Sequence, residues 1–190
     1  MTKTSLYTAM LAAFLTGCGG ESSSSNSTPE LTDPTVRQGE PGTYAYYEAG
    51  DCGDLSEIDF DQLAIESSSK DYRGKPTSNA ATALIDNSSG DVCLNGSLAQ
   101  LTVSGGYAYV YVSGSVTTVT VTDSSDDVYI FGSVDTMTVT DSSADVHVFG
   151  TIGYLILDGG TADVYTSEVA SYDNLGGSSD VMDLSYAGFD

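Results

Sequence analysis

Residues 119–150 read VTVTDSSDDVYIFGSVDTMTVTDSSADVHVFG, which is nearly one phrase written twice. Gly132 and Gly150 close the matching strings VYIFG and VHVFG. Anchoring on glycine extends the pattern: Gly96, Gly114, Gly132 and Gly150 fall 18 residues apart, followed by GSLAQLTVS, GSVTTVTVT, GSVDTMTVT and GTIGYLILD. Looking backwards, GDLSEIDFD at Gly53 and a looser unit at Gly74 fit the same template with irregular spacing. Past Gly150, Ser167 takes the glycine slot. About seven units lie between residues 44 and 185. Degraded end units are what a stacked array uses as caps.

Within each unit apolar residues alternate with period two, which is the signature of strands. Superposing units 18 apart produces columns of like residues. One is Val92, Val110, Val128, Val146 and Val164; another is Leu101, Val119, Met137 and Leu155. A single coil cannot hide its apolar side, but a stack can. The reading is an all-β fold, a parallel β-helix or solenoid of about seven 18-residue coils with irregular N-terminal coils. At ~4.8 Å per rung it stands roughly 33 Å tall. An antiparallel sandwich is the alternative, disfavoured by the constant spacing and same-column identity.

Function then falls to the outward columns. Thr118, Thr120, Thr122 and Thr136, Thr138, Thr140 form hydroxyl rows, with Thr102 and Ser104 below. Tyr111, Tyr129, His147 and Tyr165 form an aromatic column, with Phe131 and Phe149 two residues along. Such a stripe suits a glycan or a protein partner; ring stacking within the fold, or a covering cap, is the alternative. His147, the chain's one histidine, reads as a stacking residue. Asp91, Asp127, Asp145 and Asp163 share a further column, broken by Tyr109, with Asp123 and Asp141 at the preceding turn. Carboxylates ~4.8 Å apart repel, by about 1 kcal/mol even in bulk water. They either cap turn N–H groups, or bind a hard cation such as Ca²⁺ across rungs. The candidate calcium ligands are Asp123, Asp127, Asp141, Asp145 and Asp163. No spacing supports a hydrolytic triad, so the expectation is a non-enzyme with no obligatory cofactor.

Charge narrows the partners. The 190 residues carry 5 Lys and Arg against 27 Asp and Glu, a net charge of −22. Lys75 is the last basic residue. Nucleic acid and anionic lipid headgroups need cations to neutralise phosphate, so nucleic acid is excluded as a partner.

The N-terminus reads MTKTSLYTAMLAAFLTGC. Lys3 supplies a charged n-region, and the apolar run to Leu15 is too short to span a bilayer as a mature helix. Leu15-Thr16-Gly17-Cys18 resembles the lipobox of bacterial lipoproteins. That resemblance implies removal of residues 1–17, lipidation of Cys18 and, with Gly19 rather than Asp next, sorting to the outer membrane. Residues 18–42 are Ser-, Gly- and Pro-rich, a flexible tether of ~25–30 Å root-mean-square reach. Residues 43–190 form the acidic solenoid domain. Coil length is similar to that of bactofilin-type β-helices, which implies end-to-end polymers; the Thr-x-Thr rows resemble those of ice-binding solenoids. The leading expectation is an outer-membrane lipoprotein whose solenoid is a binding or structural, adhesion-like module, facing the periplasm or the exterior. The other expectations are a polymer-forming protein, an ice binder and a polysaccharide-active protein.

Cys52 and Cys93 remain after lipidation. An even pair outside the cytoplasm is a disulfide candidate. The glycine alignment sets them two coils apart, ~9–10 Å, beyond the ~7 Å that a disulfide allows. Either the irregular first coils fold over and close the gap, or the thiols stay free.

Overall fold

A computed structural model describes residues 40–187. The expected signal, the candidate lipidation site Cys18 and the expected tether up to residue 39 lie outside the described residues. The chain begins with a short helical strap, α1 (Tyr44–Tyr47), which continues as a single π-helical turn, Glu48–Cys52. Thirteen strands follow: β1 (Ile58–Phe60), β2 (Gln62–Glu66), β3 (Tyr72–Pro76), β4 (Thr82–Asp86), β5 (Val92–Leu94), β6 (Leu98–Ser104) and β7 (Tyr109–Val112). Then come β8 (Val116–Thr122), β9 (Asp127–Ile130), β10 (Val134–Thr140), β11 (Asp145–Asp158), β12 (Asp163–Asn174) and β13 (Asp180–Asp183). Odd strands from β1 to β9 pair with one another, even strands from β2 to β10 likewise, and long β11 runs across both faces. Every pairing is parallel. The fold is a parallel β-solenoid of about seven turns, with 18-residue coils through its regular part.

The register is what the repeat demands. Val116 pairs with Val134 and Thr118 with Thr136, each 18 residues on. The apolar columns point inward: Leu101, Val119, Met137 and Leu155 are all 0% exposed, as are Val92, Val110, Val128, Val146 and Val164. Burying each such side chain contributes about 1.5–3 kcal/mol before chain entropy is charged.

Two sequence expectations are corrected at the N-terminal end. Residues 44–52 form the strap rather than a coil, and the Gly53 and Gly74 alignments are out of register. Gly74 sits inside β3, paired with Ile58 on one side and Leu94 on the other. A Cβ at Gly74 would come within 2.9 Å of the Phe60 ring. Glycine is there to make room for that ring, not to turn a corner.

The corners are built from side chains. Position 123 of the repeat has a left-handed backbone: Ser67, Asn87, Asp123 and Asp141 all have φ of 48–50°, and Gly105 and Gly159 take the same place. Asn, Asp and Gly tolerate that region best. One residue on, a buried serine accepts a hydrogen bond from the N–H two residues ahead. Ser124 Oγ serves Asp126 at 2.9 Å and Ser142 Oγ serves Ala144 at 3.1 Å. At Gly106 and Gly160 this serine is replaced by glycine, and the acceptor comes from the coil above. Asp126 reaches down to the Ala108 N–H, and Ser179 Oγ takes the Ala162 N–H at 3.0 Å.

Asp126 is therefore a fully buried carboxylate with a structural task. Its second oxygen accepts from the Ser124 hydroxyl at 2.6 Å. Burial pushes its pKa up, and the two hydrogen bonds oppose that rise. Asp126→Ala strands the Ala108 N–H and is expected to cost about 1–3 kcal/mol. Asp126→Ser copies the Ser179 arrangement and is expected to recover most of that loss. Urea midpoints of the two variants check the pair.

Candidate functional site: three outward columns

The aromatic column is a stack. Ring centroids lie 5.0 Å apart between Tyr111 and Tyr129, 4.6 Å between Tyr129 and His147, and 4.6 Å between His147 and Tyr165. Phe131 and Phe149 stack beside it at 4.4 Å. The coil period alone produces this, because rungs repeat at about the thickness that offset rings prefer. The strap lies across the lower half. Tyr47 meets Tyr111 at 5.0 Å and Tyr129 at 5.1 Å, while Tyr44 packs edge-on against Phe131 at 5.7 Å. Tyr111 and His147 retain only 3% and 8% of their exposure, so neither is open to a partner here. Tyr129, Phe131, Phe149 and Tyr165 are half-buried.

Two further ties hold the strap. Arg73 pairs with Glu48 at 2.9 Å. Cys52 and Cys93 form a disulfide with Cα atoms 6.1 Å apart. The strap folds over the coils, so the two-coil separation read from the glycines does not apply. The three tyrosines of TYAYY (43–47), dense in an otherwise polar stretch, were the available signal for this element.

Burial raises the pKa of the Tyr111 and Tyr129 hydroxyls, with nearby carboxylates adding to it. His147 moves the other way: burial lowers it from 6.5 to about 4. Above pH 6.5 the ring is neutral in both states and carries no penalty. As pH falls from 6.5 towards 4 the unfolded chain takes the proton first, and stability is lost across that window. His147→Phe keeps a stacking ring without this titration. The variant is expected to gain about 2–3 kcal/mol on the natural protein between pH 7 and pH 4. Paired thermal melts at several pH values read that difference.

The aspartate column serves the backbone. The Asp91 N–H donates to Asp71 Oδ1 at 3.0 Å and the Asp145 N–H to Asp127 Oδ1 at 3.3 Å. The Asp163 N–H likewise donates to the Asp145 carboxylate, and Asp163 pairs in register with Asp180. Burial is the first cause that raises Asp127 and Asp145, and neighbouring carboxylates add to it. Asp123 and Asp141 are exposed at their left-handed corners. Among the described residues, no group of three or more His, Cys, Asp or Glu could hold a metal ion.

The hydroxyl rows lie on the opposite, even-strand face. Gln100, Thr118 and Thr136 share one column, Thr102, Thr120 and Thr138 the next, and Ser104, Thr122 and Thr140 the third. All three columns are in unbroken register and uncharged, on a chain of net charge −22. The array ends above at Tyr154, whose hydroxyl donates to Asp173 Oδ2 at 2.5 Å. Below, Ser104 Oγ donates to Asp86 Oδ1 at 2.7 Å.

These features define a parallel β-solenoid with one strapped aromatic face and one face carrying three coils of uncharged rows, flanked by Asp86 and Asp158. No protein-family model, curated protein or solved structure matches the chain.

Proposed function

We propose that this protein is a non-enzymatic, lipid-anchored β-solenoid of the bacterial outer membrane, acting as a binding or structural module. The observation that carries the reading is the strap. The residues that follow the tether are clamped to the solenoid by aromatic stacking, an ion pair and a disulfide. That is how a rigid body hung from an anchor resists being peeled from its first coil. The hydroxyl face is the contact surface: its methyl and hydroxyl groups carry no charge, so they dehydrate at lower cost than the acidic surroundings.

Metabolic labelling with a palmitate analogue tests the anchor. Label on the wild-type chain, absent from Cys18→Ser, supports it; equal label on both sinks it. Binding to insoluble neutral polysaccharides, compared with Thr120→Lys/Thr138→Lys, tests the face. Retention of the wild type alone supports the contact, and equal retention of both removes it. The same rows favour a second reading, ordering of water at an ice surface. Thermal hysteresis in the wild type that the lysine variant lacks would select that reading.

A further inference from the structure

The aromatic stripe is a docking groove for a segment that is not part of the solenoid. The buried core runs from Phe60 to Val164 and contains no strap residue. Tyr47, Cys52, Cys93 and Tyr111 form a second, separate cluster, joined by Tyr44, Tyr46, Tyr129 and Phe131. The coils are thus complete without the strap, and the strap has no core of its own. Helical segments this short do not persist in water alone. The strap holds its shape only where the stripe receives it.

The connection between strap and solenoid is a hinge. Residues 53–57 are exposed and lie outside helix and strand, and Asn95 Nδ2 donates to Glu57 Oε2 at 3.2 Å at their far end. Gly53 has φ +49°, and nothing lies within 4 Å of where its Cβ would sit. Five residues span up to about 17 Å. A segment docked through side chains, on a short hinge, with a complete domain behind it is the arrangement that exchanges between copies.

We propose that, until the Cys52–Cys93 disulfide closes, the stripe of one copy accepts the strap of a second copy, giving a strap-exchanged dimer. The occupant is the strap itself, because the established contact is with that sequence: Tyr47 on Tyr111 and Tyr129, Tyr44 on Phe131, Glu48 on Arg73. In an exchanged pair every one of these contacts is kept and only the hinge changes path. The disulfide then decides the state. Closed within one chain it fixes a monomer; closed between Cys52 of one copy and Cys93 of another it seals the dimer. Sealing removes two electrons and two protons from the two thiols. A disulfide oxidant such as oxidised glutathione accepts both and leaves as two thiols. The proposal stands apart from the anchor and from the hydroxyl face.

The test uses full-length chains carrying Cys18→Ser, so that one thiol remains in each single variant. Cys52→Ser and Cys93→Ser proteins are mixed and treated with oxidised glutathione, then separated without reductant. The two are distinguished by a size tag. The expected product is the mixed dimer, at least fivefold over either like-with-like dimer and suppressed by Tyr47→Ala in the strap donor. Mixed dimer no more abundant than the like pairs, or indifferent to Tyr47→Ala, overturns the proposal. An independent measurement uses the Cys18→Ser chain with both other cysteines kept: its sedimentation, reduced, over a hundredfold concentration range. A concentration-dependent dimer supports exchange, and a monomer throughout overturns it.

Discussion

Gly132→Ala is expected to destabilise the solenoid by about 3 kcal/mol or more, at the upper end for overpacking, and to lower its unfolding midpoint sharply. Gly114, Gly132 and Gly150 stack along one corner. The Gly132 N–H donates to the Gly114 carbonyl at 3.2 Å, and the Gly150 N–H to the Gly132 carbonyl at 3.1 Å. A Cβ built on Gly132 would lie 2.5 Å from the Ser115 nitrogen and 2.6 Å from the Gly114 carbonyl carbon. Those neighbours are backbone, so no side chain can rotate away. The rungs must separate locally, and that separation breaks ladder hydrogen bonds on both sides of the corner. The comparison is Thr120→Ala on the hydroxyl face, where loss of a cross-strand pair is worth about 0.2–1 kcal/mol. Chemical denaturation of both variants reads the contrast. Equal losses would mean that the corner relaxes without opening the ladder.

The second large effect belongs to the disulfide. Cys52 and Cys93 are 41 residues apart in sequence. In the chain-entropy account, closing a loop of that length contributes about 4 kcal/mol by restricting the unfolded chain. Cys52→Ser/Cys93→Ser is expected to lower stability by about that amount. Because the strap cluster is separate from the coil core, the loss has a second signature. Strap tyrosines should become accessible, by fluorescence quenching or iodination, before the coils melt. A single transition seen identically by tyrosine accessibility and by backbone dichroism would show that strap and coils unfold as one unit. Dilute protein is the condition for this comparison, since it disfavours exchange between copies.

Much of the coil was legible from the repeat itself. Val92 to Val164 and Leu101 to Leu155 lie inward as their period required, because a period of 18 with alternating polarity has few ways to bury its apolar half. The outward identity of the hydroxyl rows followed from the same alternation. The first coils were less legible. Gly74 looked like a corner glycine, and its actual reason, the ring of Phe60, is a contact across 14 residues that no local pattern encodes. Asp126 went unnoticed for a similar reason. It reads as one more acid in DSSDD, and its burial follows from Gly106 in the coil below lacking a hydroxyl.

The sequence by itself determined the coil length, the inward columns and the outward rows, since each depends only on spacing and side-chain polarity. Tertiary structure alone decided which outward face stays open. Tyr111 and Tyr129 point away from the coil as the alternation requires, yet the strap covers them. That covering depends on where a distant segment packs and on a disulfide that brings residues 52 and 93 together. Periodicity reports the direction a side chain takes from its own strand. It carries no information about what another part of the chain places on top of it.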